Sequence, residues 1–147
     1  MSIVICYDGS ASAKRSLSVA ERVLGDKPAV LLHVWSPPDR VAADAFGIRD
    51  DDEPTYEQLE ASARERAHQV LDEGKSLADQ LGIAVTPRDE PSHNSISETI
   101  LEIADELDAD LIVAGTRGTT AVAEQVLGSV SNTLVHHARR PVLVVPV

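Results

Sequence analysis

A chain of 147 residues is the right size for one compact domain, and 43% hydrophobic content gives it a core without a metal or disulfide staple. A net charge of −11 and an aromatic content of 3%, with no Lys/Arg cluster, argue against nucleic-acid binding, which needs cations for the backbone and rings for the bases. The lone Cys6 forbids an internal disulfide, no apolar run approaches the roughly 20 residues of a membrane span, and the opening lacks a signal-like stretch, so no membrane partner and a cytoplasmic location are expected.

Ile3 to Tyr7 is a continuous apolar run, as in a strand covered on both faces, and Asp8-Gly9-Ser10 follows as a turn and helix start. Ala13, Leu17, Ala20 and Leu24 recur on one helical face, which Gly25 closes. Ala29 to Trp35 is a second strand, ended by Pro37-Pro38. From Asp39 to Glu60 there are eight acidic residues against two basic, which reads as a solvated connection; the adjacent carboxylates Asp50 to Glu53 lack the spacing that would converge on a metal. Leu59, Ala63, Ala67, Val70, Gly74, Leu77 and Leu81 mark a long helix ended by Gly82, and Ile83 to Arg88 alternates like a less covered strand. Ile96, Ile100, Ile103 and Leu107 line a third helix, and Asp110 to Ala114 is a buried strand. Gly115 to Leu127 is a loop, Val130, Leu134 and Ala138 line a fourth helix, and 141–147 is the last strand.

Five strands alternating with four helices predict an α/β three-layer sandwich: a parallel sheet of order 3-2-1-4-5 with helices on both faces. Ligands of such sheets bind beyond the carboxyl ends of the strands where the winding reverses, here between Tyr7-Asp8-Gly9 and Ala114-Gly115.

The strongest motif begins there. Gly115-Thr116-Arg117-Gly118, nine more residues, then Gly128-Ser129-Val130-Ser131 follow a buried strand and open a helix. Glycines permit close backbone approach to phosphates, and the helix start offers unpaired amides and the positive end of its dipole. Ser129 and Ser131 add hydroxyls, and Arg117 is a cation that offsets part of the acidic field. A Walker loop is excluded because the only lysines are Lys14, Lys27 and Lys75, and three closely spaced glycines after the first strand are absent. On spacing alone, a structural turn at Gly115 and Gly118 with a cap at Ser129 accounts for the same residues equally well.

The chain resembles the universal stress protein family, single-domain and ATP-binding branch, over essentially its whole length. The resemblance rests on Val4 to Ser10, Leu32-His33-Val34, Ala109 to Gly115, Gly128 to Ser131 and Pro141 to Pro146, with the Gly-two-Gly-nine-Gly-Ser spacing unbroken. It implies an adenine nucleotide alpha hydrolase-like sandwich with ATP, or another adenine nucleotide, in the switch-point cleft, often with Mg²⁺. The positions it assigns are Cys6, Tyr7 and Asp8 at the adenine and sugar, Val34 on the base, and Ala114 and Gly115 flanking the nucleotide. Gly118, Gly128, Ser129 and Val130 are assigned to the phosphates, with Arg117 and Ser131 beside them. Pro91-Ser92-His93-Asn94 departs from the family's usual Gly-Asp/Asn-Pro at the cleft rim. The resemblance also implies a homodimer through the C-terminal strand 141–147, whose apolar edge agrees with that.

Several residues have plainer readings. Asp8 can simply cap the first helix. Cys6 and His33 read as core residues, and His136, His137, Arg139 and Arg140 as cations at a helix C-terminus. No catalytic residues are assigned. The leading function is a nucleotide-dependent dimeric regulatory switch of the stress response. The alternatives are a slow ATPase or nucleotidyl transferase in the same cleft, and a nucleotide-free dimeric interaction module.

Overall fold

The computed structural model describes residues 2–45, 55–116 and 127–147. The strands are β1 (Ile3–Cys6), β2 (Ala29–Trp35), β3 (Val85–Pro91), β4 (Leu111–Gly115) and β5 (Val142–Val145). They form one parallel sheet of order β3-β2-β1-β4-β5, the order expected from the alternation of elements. The helices among the described residues are α1 (Ala11–Leu24), α2 (Arg40–Ala45), α3 (Tyr56–Leu81), α4 (Ile96–Glu106) and α5 (Ser129–His137).

Side chains alternate across the sheet and feed two main cores, with Trp35, Ala63 and Ala67 forming a smaller cluster of their own. Ile3, Ile5, Tyr7 and Leu31 pack with Ala13, Leu17 and Ala20 of α1 and Leu71 and Ala78 of α3. Val4, Leu32, Val34, Ile112 and Ala114 pack with Ile100 and Ile103 of α4 and Leu134 of α5. This is the three-layer sandwich, with α1 and α3 on one face and α4 and α5 on the other.

Local chemistry sets the helix starts. Ser10 caps α1 by accepting from the Ala13 amide at 3.2 Å. Ser95 caps α4 through the Glu98 amide at 3.1 Å. Thr55 and Gln58 form a reciprocal capping box that starts α3 at Tyr56, three residues before the apolar pattern begins at Leu59. The acidic connection is also more ordered than its composition suggests. Asp39 accepts from the Val41 and Ala42 amides, which nucleates α2, a short fifth helix where a solvated connection was expected. Residues 46–54, including the four adjacent carboxylates, lie outside the described residues.

Strand β3 runs Val85–Pro91 instead of Ile83 to Arg88. The Ile83 amide is taken by the Ala78 carbonyl in the turn closing α3, so pairing with β2 starts later and continues through Arg88, Asp89 and Glu90. Pro87 and these charges sit on an edge strand, where a missing donor is tolerated. The opposite edge, β5, reads Val-Leu-Val-Val, and among the described residues no strand lies beyond it.

Candidate nucleotide cleft

The switch point lies where β1 and β4 end side by side, with β2 and β3 on one flank and β5 on the other. Tyr7 extends β1 by one residue: its amide donates to the Leu32 carbonyl at 2.8 Å. Its carbonyl accepts from His33 Nδ1 at 2.7 Å. A carbonyl can only accept, so Nδ1 carries the proton and the tautomer is fixed. Burial holds the His33 pKa below its ordinary value, opposed by the Tyr7 carbonyl and the charges of Asp8 and Asp89. A neutral, buried donor fits the reading of His33 as a hydrogen-bonded core residue.

The Tyr7 ring points away from the α4/α5 face, and its hydroxyl donates to Glu73 Oε1 at 2.8 Å. Lys14 Nζ meets the same carboxylate at 3.1 Å. Tyr7 therefore presents backbone to the strand ends and anchors itself between α1 and α3.

After Tyr7 the chain turns at Gly9, whose φ of +80° lies in the left-handed region that favours glycine. Asp8 is half-buried, and its Oδ1 accepts from the Ser10 amide at 2.9 Å. The cap of α1 is Ser10, so Asp8 braces the turn and is not the cap residue. Its charge raises the pKa of Cys6, Tyr7 and His33, which places negative potential at the centre of the strand ends. Burial, and secondarily Asp8, push the thiol of Cys6 up to about 12, which favours the protonated thiol at neutral pH; the residue is partly buried against the α4/α5 core.

On the other side, Ala114 is buried and Gly115 is the last residue of β4, paired with Val145, and not the first of a loop. A Cβ on Gly115 would lie 2.2 Å from Ser12 Oγ and 2.9 Å from the Ser12 carbonyl carbon. Gly115 thus lets the first turn of α1 pack directly on the end of β4. Thr116, which the sequence did not single out, holds the next step. Its amide donates to the Val145 carbonyl at 2.9 Å, and its carbonyl accepts from the Gly128 amide and, at 2.9 Å, from Ser131 Oγ.

Gly128 caps α5 in extended conformation with no side-chain hydrogen bond, and the first turn of α5 holds no acidic residue. Helices α1, α3 and α4 each close a first-turn amide with a cap side chain, and α5 does not. Among the described residues, no side chain closes the positive end of α5 beside the end of β4. Ser129 is exposed, Val130 packs on the α4/α5 core, and Ser131 is buried.

Cys6, Val34, Ala114 and Val130 thus share the α4/α5 face, where the tip of the strands meets the start of α5. Asp8 lies in the turn after β1, Gly115 ends β4, Gly128 caps α5, and Ser129 and Ser131 lie in its first turn, all at that end of the sheet. Arg117 and Gly118 lie outside the described residues. At the far end of α5, His136 Nδ1 bonds the Asn132 carbonyl at 2.8 Å, and Arg140 meets Asp105 and the Ala109 carbonyl. His136 thus bonds a carbonyl of its own helix, whereas Arg140, expected at the C-terminus of α5, instead ties the chain to the end of α4 and the loop before β4.

Residues 1–146 match the family described as the Universal stress protein family. The chain belongs to the universal stress protein family. Among its relatives is a universal stress protein of Thermus aquaticus, encoded 3′ of a QAH/OAS sulfhydrylase, 36% identical over 97% of this chain and 96% of its own. The fold is shared with the hypothetical protein MJ0577, at a TM-score of 0.77 and 24% identity over 99% of this chain and 95% of that one. It is shared also with the universal stress protein of Archaeoglobus fulgidus in complex with dAMP, at a TM-score of 0.63 and 26% identity over 99% and 97% of the two chains. A universal stress protein in complex with cAMP matches at a TM-score of 0.61 and 22% identity, over 99% of this chain and 96% of its own. The adenine nucleotide alpha hydrolase-like sandwich is therefore the family's fold as well as the one built from the strands upward.

Proposed function

We propose that this chain binds an adenine nucleotide, ATP with Mg²⁺ foremost, in the cleft between Tyr7-Asp8 and Gly115, with its phosphates at the start of α5. The observation that carries the reading is the α5 N-terminus at the switch point, which no described side chain caps, whereas α1, α3 and α4 each have a side-chain cap. Asp8 meets the sugar, Val34 and the Cys6–Tyr7 backbone line the base, and Ala114 and Gly115 flank the nucleotide. The amides of Ser129 and Val130 and the Ser129 hydroxyl meet phosphate, assisted by Gly118 and Arg117. The dAMP and cAMP complexes of relatives support adenine recognition on this fold.

Among the described residues no three His, Cys, Asp or Glu side chains converge on a metal site. Magnesium would then be held by phosphate oxygens and water, with Asp8 the carboxylate at hand, a mode that suits this ion.

The protein acts, on this reading, as a cytoplasmic regulatory dimer of the stress response whose shape or partners follow nucleotide occupancy. The unblunted β5 edge supports pairing with a second copy through 141–147.

Calorimetric titration with ATP and Mg²⁺ tests the site. Ser129 is the first helical residue, where proline is tolerated, and Gly128 already holds the extended conformation required before proline. Ser129→Pro removes one phosphate-facing amide while keeping the helix. We expect saturable binding by the native protein, weakened about tenfold or more in Ser129→Pro and in Gly118→Val. A well-folded native dimer that gives no heat would overturn the reading in favour of a nucleotide-free interaction module.

A further inference from the structure

Ser131 belongs to the motif assigned to phosphate, yet its geometry gives it another task. Its hydroxyl oxygen lies 2.9 Å from the Thr116 carbonyl and 3.1 Å from the Gly128 carbonyl, and the residue is 2% exposed. Both neighbours can only accept, so the single hydroxyl proton is committed to them. A phosphate offers acceptors and needs donors, and Ser131 Oγ has no proton left to give.

The bonds around Thr116 show what the hydroxyl does instead. The Thr116 carbonyl has two lone pairs, and the Gly128 amide and the Ser131 hydroxyl take one each. The Thr116 amide is fixed in turn on Val145 of β5. Thr116 thus holds the end of β4, the end of β5 and the first turn of α5 at one point. Gly128 contributes no cap side chain, so it acts through its backbone, its carbonyl accepting from the Asn132 amide and Ser131 Oγ and its amide donating to the Thr116 carbonyl. The aim of its amides is set by Thr116 and Ser131.

We propose that Ser131 is a positioning residue for the phosphate site: its hydroxyl clamps the start of α5 to Thr116, and nucleotide affinity depends on it without contact between that hydroxyl and phosphate. This rests on the nucleotide reading above and divides the two serines of the motif. Ser129, exposed on the first turn, meets the ligand, and Ser131 holds the turn in place. The same line of bonds joins the nucleotide site to β5, since Thr116 is shared between them.

The test compares Ser131→Ala, Ser131→Thr and Ser129→Ala by ATP titration and by amide hydrogen exchange of the nucleotide-free protein. Ser131→Ala should weaken ATP binding about tenfold and speed exchange of the Gly128 amide several-fold before any nucleotide is added. Ser131→Thr keeps the hydroxyl and should restore both. Ser129→Ala should weaken ATP without altering Gly128 exchange. Weakened binding in Ser131→Ala with unchanged Gly128 exchange in the free protein would make Ser131 a direct ligand and overturn the proposal. Unchanged binding in Ser131→Ala would overturn it as well. If the native protein binds no nucleotide, the functional reading fails, while Gly128 exchange in the free variants still reports whether the clamp exists.

Discussion

Gly115 and Ser12 stand so close that a methyl group on the glycine would meet the serine hydroxyl oxygen at 2.2 Å and its Cβ at 2.7 Å. The contact joins the end of β4 to the first turn of α1, the two elements that frame the cleft. Gly115→Ala should therefore destabilise the protein by about 1–3 kcal/mol, the usual range for overpacking a tight interface. Shortening Ser12 should not rescue it, because the Ser12 backbone carbon is also within 2.9 Å. Urea unfolding of Gly115→Ala, alone and with Ser12→Ala, checks both points. A stability equal to native would mean that α1 can draw back freely.

Gly74 gives a second case in which a glycine serves a neighbour's bulk. It lies inside α3, where alanine ordinarily gains up to about 1 kcal/mol. Here a Cβ would sit 2.8 and 2.9 Å from the Tyr7 ring and 3.0 Å from Leu31. We expect Gly74→Ala to lower stability despite its better helix propensity, and Tyr7→Leu to relieve part of that loss. A double-mutant cycle should return a coupling of about 1 kcal/mol or more.

The Tyr7 hydroxyl carries a pH signature. It is the foremost cause, ahead of Lys14, of a Glu73 pKa below the ordinary 4.5. A carboxyl lowered in the folded state adds stability that is complete above the unfolded pKa and lost as pH falls through the folded one. Tyr7→Phe should cost about 1 kcal/mol at pH 7, a modest figure because Glu73 is half exposed. The gap between native and variant should close below about pH 4, and carboxyl titration by NMR should show the Glu73 pKa rising in the variant. Burial and Glu73 both drive the Tyr7 pKa upward, so Tyr7 stays protonated throughout this range.

Cys6 offers a kinetic check on the strand ends. A pKa moved from 9.0 to about 12 lowers the thiolate fraction at pH 8 about a thousandfold. Reaction with DTNB should be correspondingly slow in the native protein and rapid after denaturation. The native rate should keep rising about tenfold per pH unit through pH 9 without a plateau. A plateau near pH 9 would show that the thiol is solvated and that Asp8 lies in a different environment.

Long apolar runs made the sheet order readable, because a strand covered on both faces, such as Ile3–Cys6 or Ala29–Trp35, needs continuous hydrophobicity. β3 slipped because an edge strand draws its hydrogen bonds from residues such as Asp89 and Glu90 that no hydrophobic pattern marks. The start of α3 was written in the pair Thr55 and Gln58, a capping signal that lies outside the apolar stripe. At the candidate site, the glycine and serine spacing marked the end of β4 and the start of α5, but it could not separate the tasks within them. Thr116 acts through its backbone amide and carbonyl, which every residue except proline has, so no side chain betrays it. Gly74 and Gly115 answer to Tyr7 and Ser12, partners distant in sequence that only the fold brings to them.

The two margins of the sheet differ in kind. β3 carries two prolines and three charged residues, whereas β5 is four aliphatic residues with its outer backbone groups unpaired among the described strands. A sheet with one such margin has a valence of one. Among the described strands, β5 is the margin whose sequence favours a joining strand, and β3 is the one whose charges and prolines oppose it. Fibre growth requires two reactive ends on every unit, so this asymmetry of the described margins disfavours open-ended edge-to-edge assembly.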